Sequence, residues 1–143
     1  MNRAMKTKPV LTHEDCQKIA RACAAEARAN QWAVSFAIVD DGGHLLWFER
    51  LDDAPPSSAE IGPAKARMAT LGRRETKVYE EMINGGRTAF LSAASATAMR
   101  GAMMEGAVPV MIDGQCLGAV GVSGVKSAED AQVARAGIAA LTA

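Results

Sequence analysis

Two stretches decide the fold: Ala37-Ile38-Val39-Asp40-Asp41-Gly42-Gly43-His44-Leu45-Leu46 near the start, and Val110-Met111-Ile112-Asp113-Gly114-Gln115-Cys116-Leu117-Gly118-Ala119 near the end. In each, an apolar run meets Asp and Gly, which tolerate the positive backbone angles of a tight turn, and a second apolar run follows. Each reads as a β-hairpin. The hairpins flank a long middle rich in Ala, Met and charged residues. The sheet is therefore assembled from both ends of the chain, and the middle must cross over it.

Working outward, the first hairpin spans strands at 33–39 and 44–50 and the second spans 107–112 and 116–123, with Pro109 marking an edge or an irregular start. Upstream, Thr12 and Asp15 form a variant of the capping box. The helix that follows carries the apolar stripe Ile19, Ala20, Cys23, Ala24 and Ala27 and ends at Asn30. Residues 1–10 form a flexible lead. Residues 51–59 are too rich in Asp, Pro and Ser for either element and form a surface loop. Pro63 would clash inside a helix begun at Ser57, so the next helix is expected to start near Ile61 or Gly62, burying Ile61, Ala64, Met68 and Leu71. A short helix over 76–83 ends at Asn84-Gly85-Gly86, and residues 87–105 are open between helix and loop. Ser127 and Asp130 cap a last amphipathic helix reaching about Leu141. The fold class is α+β, three-layer-like, an antiparallel sheet covered by helices in one domain over 1–143.

Composition narrows the function. The chain has 143 residues, enough to bury a core without disulfides or metal. Sixteen basic residues balance sixteen acidic ones, which removes the positive field that drives binding to nucleic acid. No apolar stretch approaches the roughly 20 residues that span a bilayer, and residues 1–10 lack the apolar core of a secretory signal. The expected location is cytoplasmic, with no membrane and no nucleic acid as partner. Cys16 and Cys23 lie about 10 Å apart along one helix, too far for a disulfide. With Cys116 they show no metal or redox spacing and read as small buried hydrophobes.

Chemistry-bearing residues are few. Lys65 sits at the margin of a buried helical stripe. Its ammonium either snorkels to solvent or builds an anion site with Arg67, Arg73 and Arg74, where a guanidinium grips a carboxylate in bidentate fashion. Arg73-Arg74-Glu75 reads equally as a solvated helix boundary. Glu105 is the only acid between Glu81 and Asp113. Beside an apolar strand it serves either as a proton-transfer group or as a turn cap. Asp40, Asp41 and Asp113 follow from turn chemistry, and Met99, Met103 and Met104 from core or interface packing. No metal cluster is recognisable.

Several phrases, in order, resemble the GlcG/HbpS family, also called the haem-degrading domain family, which includes the C-terminal domain of PduO-type proteins. They are Leu11-Thr12-x-x-Asp15, Ile38-Val39-Asp40-x-Gly42-Gly43-His44-Leu45 and Phe48-Glu49-Arg50-Leu51-Asp52-x-Ala54. Lys65-Ala66-x-x-Ala69, Arg74-x-Thr76, Glu105-Gly106-x-Val108-Pro109-Val110 and Asp113-Gly114 through Gly118-Ala119-Val120-Gly121-Val122-Ser123-Gly124 continue the series. The resemblance implies a central antiparallel sheet of about five strands flanked by helices, assembled into homo-oligomers. By position, Lys65, Thr76 and Glu105 match the family pattern and are expected to line a pocket at a subunit boundary. Ala107 stands where the family usually has a second glycine, and its methyl is expected to narrow a backbone approach to ligand.

The resemblance also implies function. Some members bind haem or iron, and others are similar to accessory proteins of small-molecule catabolism. If haem binds, His13, His44 and Tyr79 are first in line as axial ligands. The leading expectation is an oligomeric protein that binds haem or another small anionic ligand, with Lys65 and nearby arginines pairing its carboxylates. The rival is a cofactor-independent deaminase, hydrolase or isomerase of a small unsaturated dicarboxylate. In that reading Glu105 moves the proton and Lys65 orients the substrate. A third is an assembly factor with no ligand of its own.

Overall fold

Turn chemistry builds both hairpins. The Asp40 carboxylate accepts from the backbone N–H of Gly42 at 2.9 Å and of His44 at 3.0 Å. In the second turn Asp113 and Gly114 both take positive φ, 48° and 76°. The computed structural model describes residues 4–96 and 100–142. Its elements are α1 (His13–Ala29), β1 (Ser35–Asp40), β2 (Leu45–Arg50), α2 (Ser58–Gly72), α3 (Thr76–Asn84), β3 (Ala107–Ile112), β4 (Gln115–Ser123) and α4 (Ser127–Ala139). A 3-10 turn at Thr88–Ser92 lies between α3 and β3.

The sheet order is β2-β1-β4-β3 and every pairing is antiparallel. The two hairpins join through β1 and β4, where Phe36 faces Val122 and Ile38 faces Val120. Pro109 lies on β3, an edge strand, where its missing N–H costs no ladder bond. The fold is α+β, with four strands among the described residues rather than about five. The capping box forms as expected: Thr12 Oγ1 accepts from Asp15 N at 3.1 Å, and Asp15 Oδ2 from Thr12 N at 2.8 Å.

The two faces of the sheet differ in side-chain size. One carries Phe36, Ile38, Val110, Val120 and Val122 and packs on α1 and α4 through Ile19, Cys23, Val133 and Ala134. The other carries Ala107 and Ala119 with Val39 and receives α2 through Ala66 and Ala69. This explains two corrections in α2. Its buried residues are Ser58, Gly62, Lys65, Ala66, Met68, Ala69 and Thr70, so Met68 is buried as expected, while Ile61 and Ala64 are half-buried and Leu71 is exposed. The residues that seat directly on the sheet, Gly62, Ala66 and Ala69, are small because the approach is close. The helix also begins at Ser58, with Pro63 inside it. The buried Ser58 hydroxyl donates to the Pro55 carbonyl at 2.6 Å and meets the Ser35 hydroxyl at 2.8 Å, so contacts to the sheet hold the first turn despite the proline.

Ala107 is likewise a correction: its methyl fills this small core beside Ala66 and Ala69. Within 87–105 the described residues form the 3-10 turn at Thr88–Ser92 and irregular chain over 93–96 and 100–105; Met99 falls outside the described residues. The lead at 4–10 has no regular structure. It is tied at Thr7, whose carbonyl accepts from Gln115 Nε2 at 2.9 Å, and at Lys8, which pairs with Asp41 at 2.6 Å. All three cysteines are free and buried.

Candidate functional site

Lys65 neither snorkels nor reaches a cleft. It is 1% exposed, and its Nζ donates to Asp130 Oδ2 and to the Val122 carbonyl, each at 3.1 Å. The ion pair ties α2 on one side of the sheet to α4 on the other. Gly106, at φ 139°, makes room for it: a Cβ there would stand 2.6 Å from Nζ. Asp130 is read from sequence as a helix cap, but its carboxylate turns inward, accepting also from Val125 N at 3.2 Å. Glu129 instead accepts from Lys126 N at the helix start.

Burial pushes the Asp130 carboxyl from 3.8 up to about 6, against the pull of Lys65 and the Val125 N–H. A folded-state value above the unfolded one means that the native protein binds the extra proton. This contribution to stability is complete below about pH 4 and is lost as pH rises through about 6. Urea midpoints of wild type and Asp130→Asn should therefore diverge in favour of wild type as pH falls from 7 to 4. A difference that stays constant over that range would show the carboxyl ionised throughout.

Thr76 and Tyr79 are also buried in the framework. Thr76 Oγ1 accepts from Ala107 N at 3.0 Å and donates to Ala107 O at 3.5 Å, pinning α3 to the start of β3. Tyr79 donates to the Met68 carbonyl at 3.2 Å and stacks on Phe90 at 5.2 Å, with Arg74 5.5 Å from its ring centroid. His13 is exposed and lies 5.4 Å from the Trp47 ring. His44 is exposed, with Nδ1 3.3 Å from Asp40 Oδ1. The candidate haem ligands thus occupy three separate places.

The remaining cations separate as well. Arg67 is half-buried and its Nε donates to the Arg100 carbonyl at 2.6 Å. With Glu60, Pro63, Ala64 and Arg100 it lines a cleft of 510 Å³ between α2 and the chain leading to β3. A second cleft of 310 Å³ is lined by Ile83, Leu91, Met103 and Met104. Gly101 belongs to both, so an apolar wall adjoins a pair of arginines. Glu105, half-buried, follows Met104 in the chain but lines neither cleft. Arg73 belongs elsewhere, to a cleft shared with Lys6 and Lys8. Arg100 is absent from the residues picked out by sequence; its signal was a lone cation directly before the apolar stretch 101–104. Among the described residues, no group of His, Cys, Asp and Glu is placed to hold a metal.

This frame has a family. Residues 11–139 match the one described as haem degrading protein HbpS-like, and the chain belongs to it. Protein GlcG of Escherichia coli strain K12 is 54% identical over 119 residues, spanning 83% of this chain and 85% of that protein. The crystal structure of Klebsiella pneumoniae protein ORFY superposes with a TM-score of 0.85 at 28% identity, covering 100% of this chain and 97% of that one. PduOC, solved as a haem complex, superposes with a TM-score of 0.83 at 27% identity, covering 92% and 95%. No described helix is long and apolar enough to cross a membrane.

Proposed function

We propose that the protein binds haem, or another flat ligand with carboxylates at one edge, in the paired cleft that residues 100–104 share with α2 on one side and with α3 and the 3-10 turn on the other. One observation carries this reading: Ile83, Leu91, Met103 and Met104 supply an apolar wall, and Arg67 and Arg100 adjoin it across Gly101. That donor set fits both ends of a haem, the macrocycle against the thioethers and aliphatic groups, the propionates on the guanidinium groups. When bound, haem supplies an iron centre for ligand or redox chemistry. Kinship with PduOC, a haem complex, supports the reading. Leu91 and Met104 are 59% and 43% exposed at the rim, in keeping with a homo-oligomer whose second copy covers the cleft. We place this activity in the cytoplasm, in small-molecule catabolism.

Haemin titration followed at the Soret band tests the proposal. Wild type should saturate, and Arg67→Ala and Arg100→Ala should each weaken binding roughly tenfold, the loss of one charge-assisted hydrogen bond. Glu105→Gln should leave the titration unchanged, which separates this reading from proton-transfer catalysis. None of His13, His44 and Tyr79 lines this cleft, so His13→Ala, His44→Ala and Tyr79→Phe should leave the haemin spectrum unchanged. A weak, non-saturating shift indifferent to Arg67 and Arg100 would sink the proposal.

A further inference from the structure

At the C-terminal end of α2 a separate cleft of 320 Å³ is lined by Lys6, Lys8, Thr70, Arg73, Gly114 and Cys116, with Asp41 as its one acid. Lys8 is paired with Asp41 at 2.6 Å. Among the described residues, Lys6 and Arg73 have no carboxylate within ion-pair distance. The walls thus carry three cations against one anion. The floor is neutral: the Thr70 hydroxyl donates to the Asp40 carbonyl at 3.0 Å, and the buried Cys116 Sγ lies 3.7 Å from it.

Arg73 supplies an independent sign. It ends α2 at φ 56°, in the left-handed region where glycine is the usual residue and a side chain costs roughly 1 kcal/mol or more. Its N–H and that of Arg74 cap the carbonyls of Thr70 and Ala69, at 3.2 and 3.0 Å. These bonds blunt the negative end of the helix, which would otherwise oppose an anion. Glycine would make the same backbone bonds without the strain, so the guanidinium itself is what the position adds.

We propose that this cleft is a second ligand site, distinct from the paired cleft, that takes a small oxyanion carrying two charges, either a phosphate or a short dicarboxylate. Lys6 and Arg73 hold it, and Lys8 joins them to the extent that Asp41 releases it.

The test is calorimetric titration of the intact protein with inorganic phosphate and with malonate, each against chloride at equal ionic strength. Saturable binding of phosphate over malonate assigns a phosphoryl ligand, and the reverse a dicarboxylate. Arg73→Gly should weaken binding about tenfold while leaving the melting temperature unchanged or higher, because the strain is relieved. Asp41→Asn should strengthen binding several-fold by freeing Lys8. Both variants should titrate haemin like wild type, which separates failure here from failure of the haem reading. No saturable heat at millimolar anion, equal binding by Arg73→Gly, or weaker binding by Asp41→Asn would each overturn the proposal.

Discussion

Lys65→Ala should destabilise the protein by about 3–5 kcal/mol, the cost of leaving one member of a buried ion pair without its partner. Asp130 is 1% exposed, so its carboxylate cannot turn to water when the ammonium is gone. The Val122 carbonyl also loses a donor, and the space that Gly106 leaves for Nζ becomes a void. Attraction inside such a pair mostly offsets desolvation rather than adding to stability. The double variant Lys65→Met with Asp130→Leu should accordingly recover most of the loss. Urea unfolding of the two single variants and the double closes the cycle. A loss below about 1 kcal/mol for Lys65→Ala would mean that the pair is not held as described.

The same variants decide whether Lys65 touches ligand. Its match to the family pattern invites a binding or catalytic role, but the geometry makes it a strap between the helical layers. A fall in haemin binding by Lys65→Ala would by itself report unfolding. Unchanged haemin affinity in the double variant, once stability is restored, would mark the residue as purely structural, whereas a persistent loss would return it to the ligand.

Where local chemistry decides, the sequence is easy to read. Asp-Gly turns place both hairpins, Thr12 and Asp15 place the start of α1, and Ala107 to Ile112 is legible as β3 because turns bound it. Reading fails where tertiary contacts decide. Of the large apolar residues of α2, Met68 is buried as read but Leu71 is exposed, because the sheet face that α2 meets carries alanine and glycine; this is invisible until β1, β4 and β3 are paired. Lys65 and Asp130 lie 65 residues apart and on opposite sides of the sheet, beyond any local pattern. Arg67, Arg73 and Arg74 are legible as cations, but their division among three surroundings depends on how α2 and α3 seat. The described residues of 87–105 show no helical periodicity because they hold only a short 3-10 turn and irregular chain, and the stretch 100–104 walls the paired cleft.

That close seating makes Gly121→Ala the second severe substitution. Gly121 lies in β4 under α2, where a Cβ would stand 2.3 Å from the Gly62 carbonyl oxygen and 2.6 Å from Ala66 N. Both are backbone atoms, and no rotamer change relieves them; a strand glycine of this kind marks a close backbone approach. The helix must lift off the sheet. Lifting draws Lys65 away from Val122 and Asp130 and shifts the wall that carries Arg67, so stability and haemin binding should fall together. We expect a loss of about 3 kcal/mol, at the upper end for overpacking. Gly62→Ala is the matched control on the facing helix. Its Cβ would meet Gly121 O at 3.5 Å, an ordinary contact, and helical alanine is favoured over glycine by roughly 1 kcal/mol. It should be neutral or stabilising in the same urea titration. Equal losses from the two substitutions would show that α2 yields at this contact, and that backbone proximity is not what holds the cleft wall in place.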